Sequence, residues 1–182
     1  DIAIVTGHSA PWAKAFPNAD ILSDEDTLDL EPESYDLVVH AMALHWANDP
    51  LGQMIQCRRS LRPDGLFLAC LLGGKTLNEL RTALAEAETN VRGGISPRVL
   101  PMADIRDLGA LLVRAGFNLP VADSHVIHAT YDRVKDLMYD LRAMGETNAQ
   151  SARSRRFTSR REMEKTQEVY HIRFTLPPGR LP

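Results

Sequence analysis

Residues 35–74 read YDLVVHAMALHWANDPLGQMIQCRRSLRPDGLFLACLLGG. Tyr35 and Asp36 lead into the apolar run Leu37-Val38-Val39, and a polar ledge follows from His40 to Asp49. Pro50 suits the first position of a helix, and Asp49 suits its cap. Leu51, Met54, Ile55 and Leu61 fall near one face of that helix, with Gln53, Arg58 and Arg59 mostly elsewhere. Arg62-Pro63-Asp64-Gly65 reads as a turn into a second apolar run, Leu66 to Leu72. Two buried strands joined by one helix make a βαβ unit, and such a crossover is right-handed in nearly all cases. Ligands of open α/β sheets bind beyond the carboxyl ends of the strands. The segment HAMALHW, residues 40–46, lies at such an end, so function is sought there.

Outward from this core, Ile2 to Val5 suits a strand ending at Thr6-Gly7. Pro11 to Phe16 suits a short helix with Ser9 as N-cap, and Ala19 to Leu22 a weaker strand before the acidic loop Ser23 to Leu30. Downstream, Thr76 and Glu79 have the spacing of a capping box and would open a helix that Gly93-Gly94 stop. Asp104 opens another, closed by Gly116. Leu119 to Tyr131 alternates like a strand. Asp132 to Met144 is helical and ends at Gly145, and a basic loop from Ser151 precedes a helix through Val169. The tail TLPPGRLP suits no regular structure. This order is α/β throughout, which implies one domain over residues 1–182 built on a sheet covered on both faces.

The chain has 182 residues, 44% of them hydrophobic, enough for a core. Its 24 acidic and 21 basic side chains leave a net charge of −3, which gives no general pull toward nucleic acid or an anionic membrane. No apolar run approaches the roughly 18 residues of a membrane span, and no signal peptide is visible, so the expected compartment is the cytoplasm. The chain begins at Asp1, and its first residues are taken to be missing. Cys57 and Cys70 have no His or Cys at ligand spacing and read as two reduced thiols; no metal site is expected.

Several long strings match a known family. YDLVVHAMALHWANDP, CRRSLRPDGLFLA, GGKTLNELRTALAEAE, GGISPRVLPMADIRDLGALLVRAGF and DLRAMGETN resemble one branch of the class I S-adenosylmethionine-dependent methyltransferases, over roughly residues 20–150. That branch holds the malonyl-carrier-protein methyltransferase of biotin synthesis and a complex I assembly factor that hydroxylates an arginine. The LHW-x-ND-P and DLR-x-MGE-x-N blocks are closer to the second group. The resemblance implies a Rossmann-like sheet with helices on both faces, S-adenosyl-L-methionine as cofactor, and a protein or acyl-carrier-protein substrate. The alternatives are arginine hydroxylation, or a non-catalytic assembly chaperone.

Three departures accompany it. The family's first strand ends in an acidic-x-Gly-x-Gly-x-Gly loop, whereas VTGHSAPW holds one glycine, Gly7. Thr6, His8, Ser9 and Pro11 would crowd a cofactor that glycines let approach. Either the true loop lies upstream of Asp1, or cofactor binding is weakened or lost. The acidic residue that grips the ribose has no clear counterpart, Asp20 being a poor candidate. The family's last strand is expected just after Pro182.

The resemblance also implies site residues. Asp24, with Glu25 beside it, takes the place of the carboxylate that accepts from the adenine amine, where an ordinary reading is a solvated acidic loop. His40, Ala41 and Met42 follow the strand beside the cofactor, although Met42 also suits plain core packing. His45 sits where a general base would serve, and Trp46 where a ring would stack on a planar group such as a guanidinium. The plainer reading packs Trp46 under the following helix and bonds His45 to a loop. Arg81 would pair with a substrate carboxylate. GGISPR and MGETN are turn-rich segments suited to a lid. Five arginines between Ser151 and Arg161 read as a solvated loop rather than a nucleic-acid contact.

Overall fold

In the computed structural model residues 1–174 are described, and the tail TLPPGRLP lies outside them. The chain divides into two compact units. The first comprises Asp1–Gly74 and Met102–Ser124, and the second Lys75–Pro101 and the chain from His125 onward.

The first unit is built on four strands: β1 (Ile2–Thr6), β2 (Asp20–Leu22), β3 (Tyr35–Ala41) and β4 (Leu61–Cys70). They pair in the order β2-β1-β3-β4, all parallel. Helix α1 (Ser9–Ala15) joins β1 to β2, and helix α2 (Pro50–Ser60) crosses from β3 to β4. The βαβ unit thus forms as its sequence indicates. Pro50 opens α2, and the Asp49 carboxylate accepts from Gly52 N at 2.9 Å. Ala3, Val5 and Val38 on the strands meet Cys57 of α2 and Leu28 of the preceding loop in one buried cluster. Burial pushes the Cys57 thiol up to about 12, so it stays an inert packing group. A second cluster joins Leu44 and Met54 to Ala115, just past the end of α4 (Ile105–Arg114). Asp104 caps α4 by accepting from Arg106 N at 2.9 Å. Gly116 follows with φ +85, a conformation natural to glycine.

Some expectations need correction. Arg62–Gly65 is no turn before the strand: β4 already begins at Leu61, opposite Tyr35, and the next partners are Leu37 and Leu66. The extra residues bulge out of the ladder, with Asp64 at φ +64. Arg62 Nη1 then reaches Asp36 at 3.0 Å, so the bulge is held by a charge pair. Nor is β4 buried on both faces. Phe67 and Ala69 pack inward, while Leu66 and Leu68 on the alternate face are 60% and 54% exposed. Ser9 is not the cap of α1. His8 holds that position without a side-chain bond to the helix. Residues 119–130 form no strand, and Leu119 and Ile127 are 94% and 84% exposed. Alternation describes a strand's two faces, but a strand exists only where a neighbour supplies the ladder.

The second unit packs α3 (Asn78–Arg92), α5 (Val134–Ala143) and α6 (Arg160–Phe174) around Leu80, Leu84, Val134, Leu137, Val169 and Tyr170. Here α6 runs past Val169 to Phe174. The capping box lies elsewhere than expected. Helix α3 starts after Leu77, which is left-handed and makes no side-chain cap. The motif closes instead at Ser159 and Glu162: Ser159 N donates to Glu162 Oε2 at 2.7 Å, and Glu162 N donates to Ser159 Oγ at 3.2 Å. Glu162 is 1% exposed and also accepts from Arg92. Arg98 binds the equally buried Glu88, which receives both Ser96 N and Ser96 Oγ. These ion pairs pin the loop 93–98 between two helices.

Burial pushes the Glu162 carboxyl up, yet the Ser159 bonds and the Arg92 guanidinium outweigh it and hold the group at about 2. Its contribution is therefore fully present above pH 4.5 and is lost as pH falls through about 2. Glu162→Gln is expected to cost about 3 kcal/mol at pH 7, from the size of the shift, and little at pH 2. Denaturant unfolding at the two pH values checks this; an equal cost at both would remove the charge from the account.

Candidate functional site

Because all four strands are parallel, their carboxyl ends share one edge of the sheet: Thr6, Leu22, Ala41 and Cys70. The loops that follow carry most of the candidate residues. Gly7 follows β1, Asp24 and Glu25 follow β2, and Met42, His45 and Trp46 follow β3.

Gly7 and Asp24 are brought face to face. A Cβ built on Gly7 would lie 3.5 Å from one Asp24 carboxylate oxygen and 3.6 Å from the other. A side chain at position 7 would therefore start in van der Waals contact with the Asp24 carboxylate. The acidic loop is not a free solvated segment. Two glutamines one turn apart on α2 hold its backbone. Gln53 Nε2 donates to Glu25 O at 2.8 Å, and Gln56 Nε2 donates to Asp26 O at 3.0 Å. Leu28 N donates back to Gln56 Oε1 at 2.8 Å. Leu28 itself is buried in the core of the first unit. Asn48 adds a bond to the Asp26 carboxylate at 3.3 Å.

His40 lies on the α2 side of the sheet, in step with Val38. It is 0% exposed, and its Nε2 lies 3.0 Å from Gln53 Oε1. Its Nδ1 has no partner among the described residues. Burial lowers its pKa from the ordinary 6.5 most of all; His45 adds to the lowering, while Gln53 and Asp24 oppose it. Ala41 is buried at the strand end. Met42 turns the chain with φ +54, an uncommon conformation for a side chain of this size. Its N–H donates to Cys70 O at 2.8 Å, and Cys70 Sγ lies 3.7 Å from Met42 Sδ. Leu44–Trp46 form a 3-10 turn anchored by buried Leu44. The His45 and Trp46 rings, both half-buried, sit 5.3 Å apart at 43°.

Other candidates stand apart from this edge. Asp20 opens β2 rather than closing it, and accepts from Tyr35 Oη at 3.0 Å. Arg81 belongs to the second unit, where its Nη2 donates to Leu100 O at 2.8 Å. Both lid candidates also lie there, and Asn148 Nδ2 ties MGETN to Pro97 O of GGISPR at 2.8 Å. Among the described residues no group of three or more His, Cys, Asp and Glu side chains is arranged to hold a metal ion. Nor is any helix long and apolar enough to cross a membrane. Gln53 and Gln56 were not singled out by the sequence. Their signal is two amides at i and i+3 just inside a capped helix, one of them beside the buried Met54.

The lowered pKa of His40 has a direct consequence for stability. Its contribution is present in full above pH 6.5 and is lost as pH falls from there through the lower folded-state value. His40→Gln is expected to flatten the stability profile between pH 7.5 and pH 5, measured by thermal unfolding of both chains. Parallel profiles would mean that His40 does not resist protonation.

Residues 8–69 match the family described as a methyltransferase domain. Among curated relatives, the chain is 44% identical over 133 residues to the arginine-hydroxylase NDUFAF5, mitochondrial, of Mus musculus, covering 73% of this chain and 39% of that protein. The rat protein of the same name is 39% identical, with coverage of 92% and 48%. The malonyl-[acyl-carrier protein] O-methyltransferase of Methylovorus is 38% identical, with coverage of 82% and 49%. The chain thus spans less than half the length of each of these three relatives. A protein described as a methyltransferase from Bacillus halodurans superposes with a TM-score of 0.56 at 16% identity, covering 99% of this chain and 84% of that one. This likeness bears on the fold alone, a parallel sheet with helices on both sides. The matched domain, these relatives and the likeness in fold together give residues 8–69 as a methyltransferase domain within a Rossmann-like methyltransferase fold.

Proposed function

We propose that the chain, read as one methyltransferase-like domain, binds S-adenosyl-L-methionine at the carboxyl edge of its sheet and transfers a methyl group to a protein or a carrier-bound acid. The observation that carries this reading is the Asp24 carboxylate beside Gly7 at the carboxyl edge of the sheet, on a loop held by α2. A carboxylate there can accept from the amine of a heterocycle laid across that edge. In this reading Gly7 allows close approach, Asp24 accepts from the adenine amine with Glu25 beside it, and Ala41 and Met42 form the floor, with His40 buried beneath them. The cofactor supplies an activated methyl group. The chain's task is alignment, which accounts for much of the rate in such reactions. A carboxylate acceptor needs no base, whereas a nitrogen or hydroxyl acceptor does, and His45 at the rim is the residue for that proton. Trp46 would hold a planar group.

A second reading is hydroxylation of a protein arginine in complex I assembly. The higher identity to the arginine-hydroxylase relatives, 44% against 38% for the carrier-protein enzyme, favours it. The single glycine after β1 favours a third, a non-catalytic assembly chaperone. The cytoplasm is the proposed compartment in the first reading, whereas the arginine-hydroxylase relatives are mitochondrial.

Calorimetric titration with S-adenosylmethionine tests the cofactor claim. The chain is expected to bind, and Asp24→Ala to bind at least tenfold more weakly, as fits loss of a charged hydrogen bond of about 1.5–3 kcal/mol. No heat at millimolar ligand would end the claim. His45→Ala is expected to abolish transfer with a nearly unchanged melting temperature; a large fall in melting temperature would make the residue structural.

A further inference from the structure

We infer that Gln53 and His40 form a buried positioning pair that sets the backbone of the cofactor-reading loop from beneath. This rests on the reading of Asp24 given above and adds to it two residues on the opposite side of the loop from any ligand.

The argument begins with the amide of Gln53. Its Nε2 donates to Glu25 O at 2.8 Å, and a carbonyl only accepts. That fixes which end of the amide is which, so Oε1, the end facing His40, is an acceptor. The ring nitrogen 3.0 Å away from it must then carry the hydrogen. In the neutral imidazole this places the proton on Nε2 and leaves Nδ1 bare. A single chain of hydrogen bonds therefore runs from His40 Nε2–H through the Gln53 amide to the carbonyl of Glu25, each link oriented by the next. Gln53 is 1% exposed and His40 0% exposed, so neither finds water as a substitute when a partner is removed.

The Glu25 carbonyl lies in the peptide shared with Asp26, so Gln53 holds the chain directly after Asp24 and limits how far the Asp24 backbone can shift. Gln56 repeats the contact one residue further on, at Asp26 O and Leu28 N, and anchors the far end of the loop. Gln53 alone holds the end that carries Asp24. A glutamate at position 53 would keep an acceptor toward His40 but would set a carboxylate against the Glu25 carbonyl, with no hydrogen to bridge them. A methionine would keep the volume and lose both bonds. His40 and Gln53 act through the loop and touch no reacting atom. They are positioning residues.

The test uses the whole chain and S-adenosylhomocysteine as the probe. Calorimetry is run on the unaltered chain, on Gln53→Met and on Gln53→Glu, with melting curves for each. Nitrogen-15 NMR of the unaltered chain reads the His40 tautomer. The unaltered chain is expected to bind, with His40 showing a protonated Nε2 and a bare Nδ1. Both variants are expected to bind at least tenfold more weakly. Gln53→Glu keeps the side-chain shape and the acceptor toward His40, so it serves if Gln53→Met does not fold. Variants that bind as tightly as the unaltered chain would overturn the pair while leaving the cofactor reading in place. A proton on Nδ1 of His40 would overturn the chain of bonds. Failure of the unaltered chain itself to bind would remove the cofactor reading and this inference with it.

Discussion

The loop between β2 and β3 has no ladder of its own, so its backbone groups must find partners elsewhere or remain in water. The side-chain amides of Gln53 and Gln56 supply them. An amide is the one neutral side chain that donates and accepts like a peptide group, so two glutamines one helical turn apart imitate the edge of a strand. They bind Glu25 O, Asp26 O and Leu28 N, and Leu28 then closes over the core. An acidic stretch that would otherwise be extended by its own repulsion is thereby held against α2. Each such bond contributes about 1 kcal/mol net, and for the buried Gln53 amide the loss of a partner would cost about 1–3 kcal/mol.

The central βαβ unit was legible because every local signal agreed. Apolar runs of strand length flank a helix with Asp49 as cap and Pro50 at its first position; the structure forms β3 and α2 where the sequence places them and starts β4 earlier, at Leu61. The exceptions are instructive in physical terms. The Arg62–Gly65 stretch has turn chemistry, and it does turn, but inside a strand whose partner register continues on either side of it. Residues 119–130 have strand chemistry without a described neighbour to pair with. The two S/T-x-x-E patterns are alike on paper. What separates Ser159-Glu162 from Thr76-Glu79 is the pair of arginines, Arg92 and Arg98, that compensates a buried Glu162, together with the left-handed Leu77 that starts α3 differently. Such a choice depends on contacts distant in the chain, which no local window contains.

The site was legible as a place and less so as a mechanism of support. The carboxyl edge of a parallel sheet follows from topology alone, and Gly7 and Asp24, singled out separately in the sequence, lie side by side there. The helix that holds the acidic loop was read only for its apolar stripe. Its inward-facing glutamine counted as polar and was set aside, because periodicity treats a buried amide and an exposed one alike.

Two histidines a few residues apart on the same β3–α2 connection are placed for different work by burial alone. His40 points toward α2 and is sealed from water, so protonation would strand a charge whose nearest compensation, Asp24, is in range but makes no bond to it. A residue in that position is useful as a fixed neutral donor and of little use as a proton carrier. His45 stands half-buried beside Trp46 on a 3-10 turn, which is where the proposed reading puts a general base. A general base must exchange protons with water once per turnover, and a positioning residue must not exchange them at all. The division between these two rings follows from the alternation of β3: the residue in step with Val38 is turned into the core, and the chain leaves the sheet before reaching the second.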